Sequence, residues 1–209
     1  MRPYIPLLTE ILMESAMEKD GVLIPHEEVI KKLNEDTVSG SAGIGIGGGT
    51  MSSGKFSQCV VIGLQVLRDN YDLGVQWIHD LMFKTKFTTE RVKVIATKVE
   101  NGIAQLKRSG STVMMAFLKS LTFGKRNNRH WDNMMSQQKF LKELLKKLNC
   151  DDEGGKQEVV AALEAVRNII VSKYAFFVAT NFEKVPHALD LLEKNNPVKK
   201  CAYIIPYLL

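Results

Sequence analysis

The run Gly49-Thr50-Met51-Ser52-Ser53-Gly54-Lys55-Phe56 comes within one residue of G-x-x-x-x-G-K-[ST]. In that loop glycines let backbone N–H groups wrap phosphate, the Lys reaches the outer phosphates, and the final hydroxyl binds magnesium. Phe56 takes the place of the hydroxyl and can ligate no metal. A phosphate loop must also join a buried strand to a helix whose first amides face the anion. Here both flanks have strand periodicity. Val38, Gly40, Ala42, Ile44 and Ile46 alternate with Ser39, Ser41, Gly43, Gly45 and Gly47, and Phe56, Val60, Ile62, Leu64 and Val66 repeat the pattern, broken by Gln58. Two alternating runs joined by Gly and Ser predict a β-hairpin. A nucleotide-binding protein, which would lose phosphate affinity on Lys55→Ala, is therefore the last of the readings.

The other reactive side chains do not form a recognisable set. Neither H-E-x-x-H nor H-x-x-E-H occurs around His26, His79, His130 or His187. His26-Glu27-Glu28 is the nearest approach, and acidic residues there are explained by the first turn of a helix. His79 follows Trp77 and Ile78 on an amphipathic stretch, as a polar-face or boundary residue. Cys59, Cys150 and Cys201 are too far apart for a C-x-x-C pair. Cys59 falls on a strand and is expected to be a small buried hydrophobe. No G-x-S-x-G elbow is present. Composition and spacing support no catalytic, metal-binding or cofactor-binding residue in this chain.

The 209 residues are 45% hydrophobic and 24% charged, with a net charge of +5, enough for one sizeable core or somewhat more. No apolar run approaches the ~20 residues that span a bilayer, and Glu10 and Glu14 interrupt what would be a signal core. The cysteine pattern suggests a reducing, intracellular compartment, cytoplasmic or mitochondrial. A basic balance raises nucleic acid as a partner. Lys139, Lys142 and Lys146, however, lie beside the apolar stripe Phe140, Leu141, Leu144, Leu145 and Leu148, as on the solvated side of an amphipathic helix. A second basic segment, Lys125, Arg126, Arg129 and His130 beside Trp131, matches no nucleic-acid motif, so no nucleic-acid partner is expected.

The elements that would position any site read as follows. A helix is expected over Tyr4–Met17, stopped by Lys19-Asp20-Gly21, and a short one after Pro25 carries Val29, Ile30 and Leu33. The hairpin follows, then a helix marked by Leu73, Trp77, Ile78, Leu81 and Met82. Thr88 or Thr89 caps a long helix with the face Val92, Ile95, Val99, Ile103 and Leu106, which ends at Gly110. Helices over Thr112–Leu121 and Trp131–Leu148 come next, the latter interrupted near Ser136. The acidic, glycine-bearing segment from Cys150 to Gly155 is the expected boundary, dividing the chain into residues 1–150 and 151–209. Beyond it a helix carries Val159, Val160, Leu163, Val166, Ile169 and Ile170, then a strand over Tyr174–Ala179 and a helix over Val185–Leu192. This order predicts an α+β fold, an antiparallel sheet covered by helices on one face. The apolar ending Ala202–Leu209 suggests a piece cut from something larger.

Three stretches carry a family resemblance: RPYIPLLTEILMES, then PHEEVIKKLNEDTVSGSAGIGIGGG, then GVQWIHDLMFKTKFTTERVKVIATKVENGIAQLKRSGSTVMMAF. Together they resemble the third of four homologous domains in pitrilysin-type (insulinase-like) zinc metallopeptidases, most closely the presequence-protease-like branch. EVVAALEAVRNIIVSKYAFFVATNFEKV is similar to the start of the fourth domain. The resemblance implies a clamshell of two halves. The first half supplies H-x-x-E-H and a downstream Glu, with zinc on two histidines and that Glu, while the motif's own Glu activates water. None of these residues exists here. The resemblance therefore implies a non-catalytic segment of the second half, with zinc bound elsewhere in the parent, the N-terminal catalytic half as partner and a peptide as substrate. The alternative it allows is an inactive scaffold or interaction protein that keeps the fold.

Overall fold

The computed structural model describes residues 1–47, 54–172, 176–178, 187, 190 and 202–204. Its fold is α+β. In order the elements are α1 (Tyr4–Leu12), β1 (Ala16–Lys19), β2 (Val22–Ile24), α2 (His26–Asp36), β3 (Ser39–Ile46), β4 (Lys55–Gln65), a 3-10 turn (Arg68–Asn70), α3 (Tyr71–Phe83), β5 (Thr85–Lys86), α4 (Thr89–Leu106), α5 (Gly110–Thr122), α6 (Asn128–Trp131), α7 (Met134–Asn149), α8 (Glu153–Val171), β6 (Phe176–Val178) and β7 (Ala202–Ile204). The strands form small sheets: β2-β1-β5, antiparallel throughout, the pair β3-β4, and the parallel pair β6-β7. The expected helix over Val185–Leu192 lies outside the described residues apart from His187 and Asp190. No helix among the described residues is long and apolar enough to cross a membrane.

The chain forms two compact units, each drawn from separated segments. One comprises Met1–Leu12, Ala42–Val61 and Phe87–Arg167, the other Met13–Ser41, Ile62–Lys86 and Asn168–Leu209. The core of the first is helical. Apolar residues recur every three or four positions on α4 (Val92, Ile95, Ala96, Ile103) and on α7 (Met134, Leu141, Leu144, Leu148), so each helix buries one stripe. These two helices pack on each other, and α1 packs on α4 through a face containing Leu7, Leu8 and Ile11. Tyr4 meets the Phe140 ring edge-on at 4.8 Å, a favoured aromatic geometry. The expected α4 stripe holds except at its end, where Leu106 is exposed.

Local sequence signals account for the helix ends. The Thr88 hydroxyl accepts from the Arg91 N–H and caps α4, and Ser109 caps α5 through Thr112 N–H. Thr88→Ala should cost about 1 kcal/mol, read as a lower denaturant midpoint with an unchanged slope; an unchanged midpoint would mean that the cap contributes nothing. The expected interruption near Ser136 occurs earlier, at Asp132 and Asn133, because the Asn133 side chain leaves the helix to accept from Met135 N–H and donates to the Ala116 carbonyl at 2.5 Å.

Two local expectations are corrected. The helix expected over Tyr4–Met17 stops at Leu12, and Ala16–Lys19 is a strand. Asp20 (φ 52) and Gly21 (φ 79) are both left-handed and form the two-residue turn between β1 and β2, the chemistry favoured in tight hairpins. Continuing the helix would have left Met17 without the hairpin partner Ile24 that it faces here. Cys59, expected to be buried, is exposed, since most of β4 is only partly covered and Ile44 is the fully buried residue of β3.

Candidate functional site

A concavity lies within the second unit, between the β1-β2 hairpin, α2 and α3. Met17 and Ile24 are cross-strand partners, so both project from one face of the hairpin. Val29 sits one turn into α2 and is 1% exposed. From α3 come Leu73, Gln76, Trp77 and Asp80, at spacings of three, one and three, which place them along one helical face. Together with Lys19, Lys32, Asp36 and Lys84 these residues line a cleft of about 230 Å³. Cavities that take whole small-molecule ligands run to roughly 300–1,000 Å³. This one is sized for a single side chain.

Its floor is apolar and its rim is charged. Trp77 Nε1 donates to Asp36 Oδ2 at 2.8 Å, tying α3 to the end of α2 while the indole faces the cleft. Asp80 is buried and heavily engaged: Gln76 Nε2 donates at 2.7 Å, Lys84 Nζ at 3.0 Å, His79 Nδ1 lies at 3.3 Å, and Lys19 Nζ at 3.7 Å. Burial alone would push its pKa up, but hydrogen bonds from Lys84, His79 and Gln76 more than offset this and hold it below the ordinary carboxylate range. Asp80 is therefore ionised at neutral pH and unsuited to give up a proton as a general acid. The cleft can bind an apolar side chain and attract acidic neighbours of it. No general acid or nucleophile stands ready in it.

The residues singled out from sequence are scattered. Gly49–Ser53 fall outside the described residues; Lys55 opens β4, so a strand follows the glycine run where a phosphate loop requires a helix. His26 lies 3.2 Å from Glu27 at the surface, His130 Nδ1 is 3.1 Å from the Phe123 carbonyl, and His187 Nε2 is 3.0 Å from Asp72. No group of three or more His, Cys, Asp or Glu able to hold a metal occurs among the described residues. Lys139, Lys142 and Lys146 are exposed on α7, whereas Arg129, expected within a basic surface segment, is buried. The cleft itself escaped sequence analysis. Its available signal was Gln76, Asp80 and Lys84 at successive i,i+4 positions, a helical hydrogen-bond and ion-pair ladder.

No protein-family profile matches the chain. It is similar to an uncharacterized protein of Caenorhabditis elegans, 28% identical over 180 residues, which covers 85% of this chain and 17% of that protein. It is also similar to an uncharacterized protein of Schizosaccharomyces pombe, 24% identical over 200 residues (93% of this chain, 19% of that protein). A third, from Saccharomyces cerevisiae, is 22% identical over 212 residues (97% and 19%). The chain thus spans less than a fifth of the length of each curated relative it matches.

Proposed function

We propose that this chain is a non-catalytic segment of the second half of a pitrilysin-type zinc metalloendopeptidase, and that it helps enclose a peptide in the clamshell chamber. The observation that carries the reading is the colinear run of resembling segments, from RPYIPLLTEILMES through the Gly-rich hairpin to the Thr88-capped helix that ends at Leu106. The α+β fold and the much greater length of the relatives are consistent with it. The described residues offer no donor set that fits zinc. In this reading the metal, its ligands and the water-activating Glu belong to another part of the parent protein. What this chain supplies is a wall, and its lysine-rimmed apolar cleft suits one bulky apolar residue of a peptide with acidic neighbours.

The test is zinc content together with cleavage of a quenched peptide library, by this chain alone and after mixing with the candidate N-terminal half. Zinc and cleavage are expected in the mixture only, with Trp77→Ala raising KM more than it lowers kcat. Cleavage by the isolated chain would overturn the proposal. So would a bound, zinc-loaded but inactive mixture, which would put an inactive scaffold of the same fold in its place.

A further inference from the structure

Within the first unit, α5 presents its apolar side to solvent. The side toward the rest of the unit carries Thr112, Met115 and Lys119, each partly covered, and Ala116, the one buried residue of the helix. Its large apolar residues face water: Met114 is 47% exposed, Phe117 53%, Leu118 44% and Leu121 84%. At spacings of i, i+3, i+4 and i+7 these four fall within an arc of about 100° and run roughly 10 Å along the helix. A single exposed leucine is ordinary, but a contiguous apolar stripe marks an interaction surface.

The charge around the stripe is of one sign. No Asp or Glu occurs from Asn101 to Trp131. Lys107 and Arg108 directly precede the N-cap Ser109, and Lys125 and Arg126 follow the end of the helix at Thr122. All four are exposed, and no ion pair engages Arg108, Lys125 or Arg126 among the described residues. An apolar stripe with cations beyond both ends is complementary to a helix that has its own i, i+3, i+4, i+7 stripe and carboxylates toward its two ends. A second copy of the chain does not fit, because α5 laid on α5 sets cations against cations in either direction. A lipid surface fits less well, since helices that lie on membranes carry cations along the polar face. On α5 that side is packed inward, and its single cation, Lys119, lies 3.9 Å from Asp132. The relatives indicate the source: the chain matches only 17% to 19% of the length of each. Most of a protein of that length lies outside the chain and is tethered to it, hence at high effective concentration.

We propose that the Met114–Leu121 face of α5 docks an acidic amphipathic helix supplied by the remainder of a longer protein. The apolar side of that helix covers Phe117, Leu118 and Leu121, and its carboxylates meet Arg108 at one end and Lys125 and Arg126 at the other. The proposal requires the chain to belong to a protein as long as its relatives, but not that this protein be a peptidase.

The 209-residue chain, labelled at its methionine methyl groups, is titrated by NMR with the flanking parts of the longer protein, each made as a separate chain. A short designed helix with four leucines at the same spacing and Glu at both ends is the second probe, and the same helix with Lys for Glu is its control. The Met114 methyl resonance should shift with one flanking part and with the acidic helix, and the Lys version should bind at least tenfold more weakly. Phe117→Ser with Leu121→Ser, and separately Lys125→Glu with Arg126→Glu, should each weaken both interactions at least tenfold while helix content is unchanged; the charge pair reads the surface even where the apolar pair fails to fold. An unmoved Met114 resonance with both flanking parts, equal binding of the two designed helices, or unchanged affinity in the folded variants would overturn the proposal. So would flotation of the chain with vesicles containing one-third phosphatidylserine, or self-association of the chain, if lost with the Phe117 and Leu121 substitutions.

Discussion

Replacing Leu141 by alanine is expected to destabilise the protein by about 2–5 kcal/mol, the range for truncating a fully buried leucine. Leu141 is 0% exposed at the centre of the α7 stripe, and α7 packs on α4, whose Val92, Ile95 and Ala96 are each no more than 1% exposed. Such a close-packed setting cannot collapse into the space left by three carbons, so the cavity cost adds to the lost transfer energy. Leu106 is the internal comparison, being also a helical leucine but 48% exposed. Its alanine variant should stay within about 0.5 kcal/mol of wild type. Thermal or urea unfolding monitored by helix content decides the matter. Similar losses for the two variants would mean that the α4–α7 contact is not the centre of this unit.

The second large effect concerns Asp80, and its size should depend on pH. Asp80→Asn removes the charge that Lys84 and Lys19 face while preserving shape, so about 1–3 kcal/mol should be lost at neutral pH, the cost of an impaired charged hydrogen-bond set. Partial exposure of both lysines keeps the figure below that for a fully buried pair. The native pKa of Asp80 is lowered, so the unfolded chain binds its proton more readily than the folded one. The stability contributed by the ionised form is therefore complete above the unfolded carboxylate value, about 4. It drains away as pH falls through the lower native value. The difference between wild type and Asp80→Asn should accordingly be large at pH 7 and shrink in strong acid. A difference that is the same at pH 7 and pH 3 would show that shape, not charge, is what Asp80 supplies. Because Gln76, Lys84 and Lys19 all line the cleft with Asp80, the same variant should also loosen the rim proposed to meet a peptide.

The contrast between these residues shows where sequence is informative. Leu141 was legible because a helix that packs on one side must repeat apolar residues every three or four positions, and that periodicity is written locally. The same holds for the α4 stripe, for the Thr88 cap and for the Gly-rich hairpin, whose alternation has period two. The β1-β2 hairpin was missed although Asp20-Gly21 is a strong turn signal. Its strands have only four and three residues, too few for alternation to outweigh the helical pattern that runs into them from Tyr4.

The candidate sites were harder still to read, for a different reason. Asp80 and Arg129 each look from sequence like one more charged residue on a helix. What distinguishes them is burial and the identity of neighbours far away in the chain: Lys19 and Met17 around the cleft of Asp80, Gly45 and Gly54 beside the Arg129 guanidinium. The sequence by itself determined the fold class, most helix positions, the long hairpin and the absence of a recognisable catalytic motif, because each follows from local periodicity and turn chemistry. Only the tertiary structure decided which charges leave water and which partners meet them, because desolvation and hydrogen bonding depend on segments that the chain brings together from dozens of residues apart.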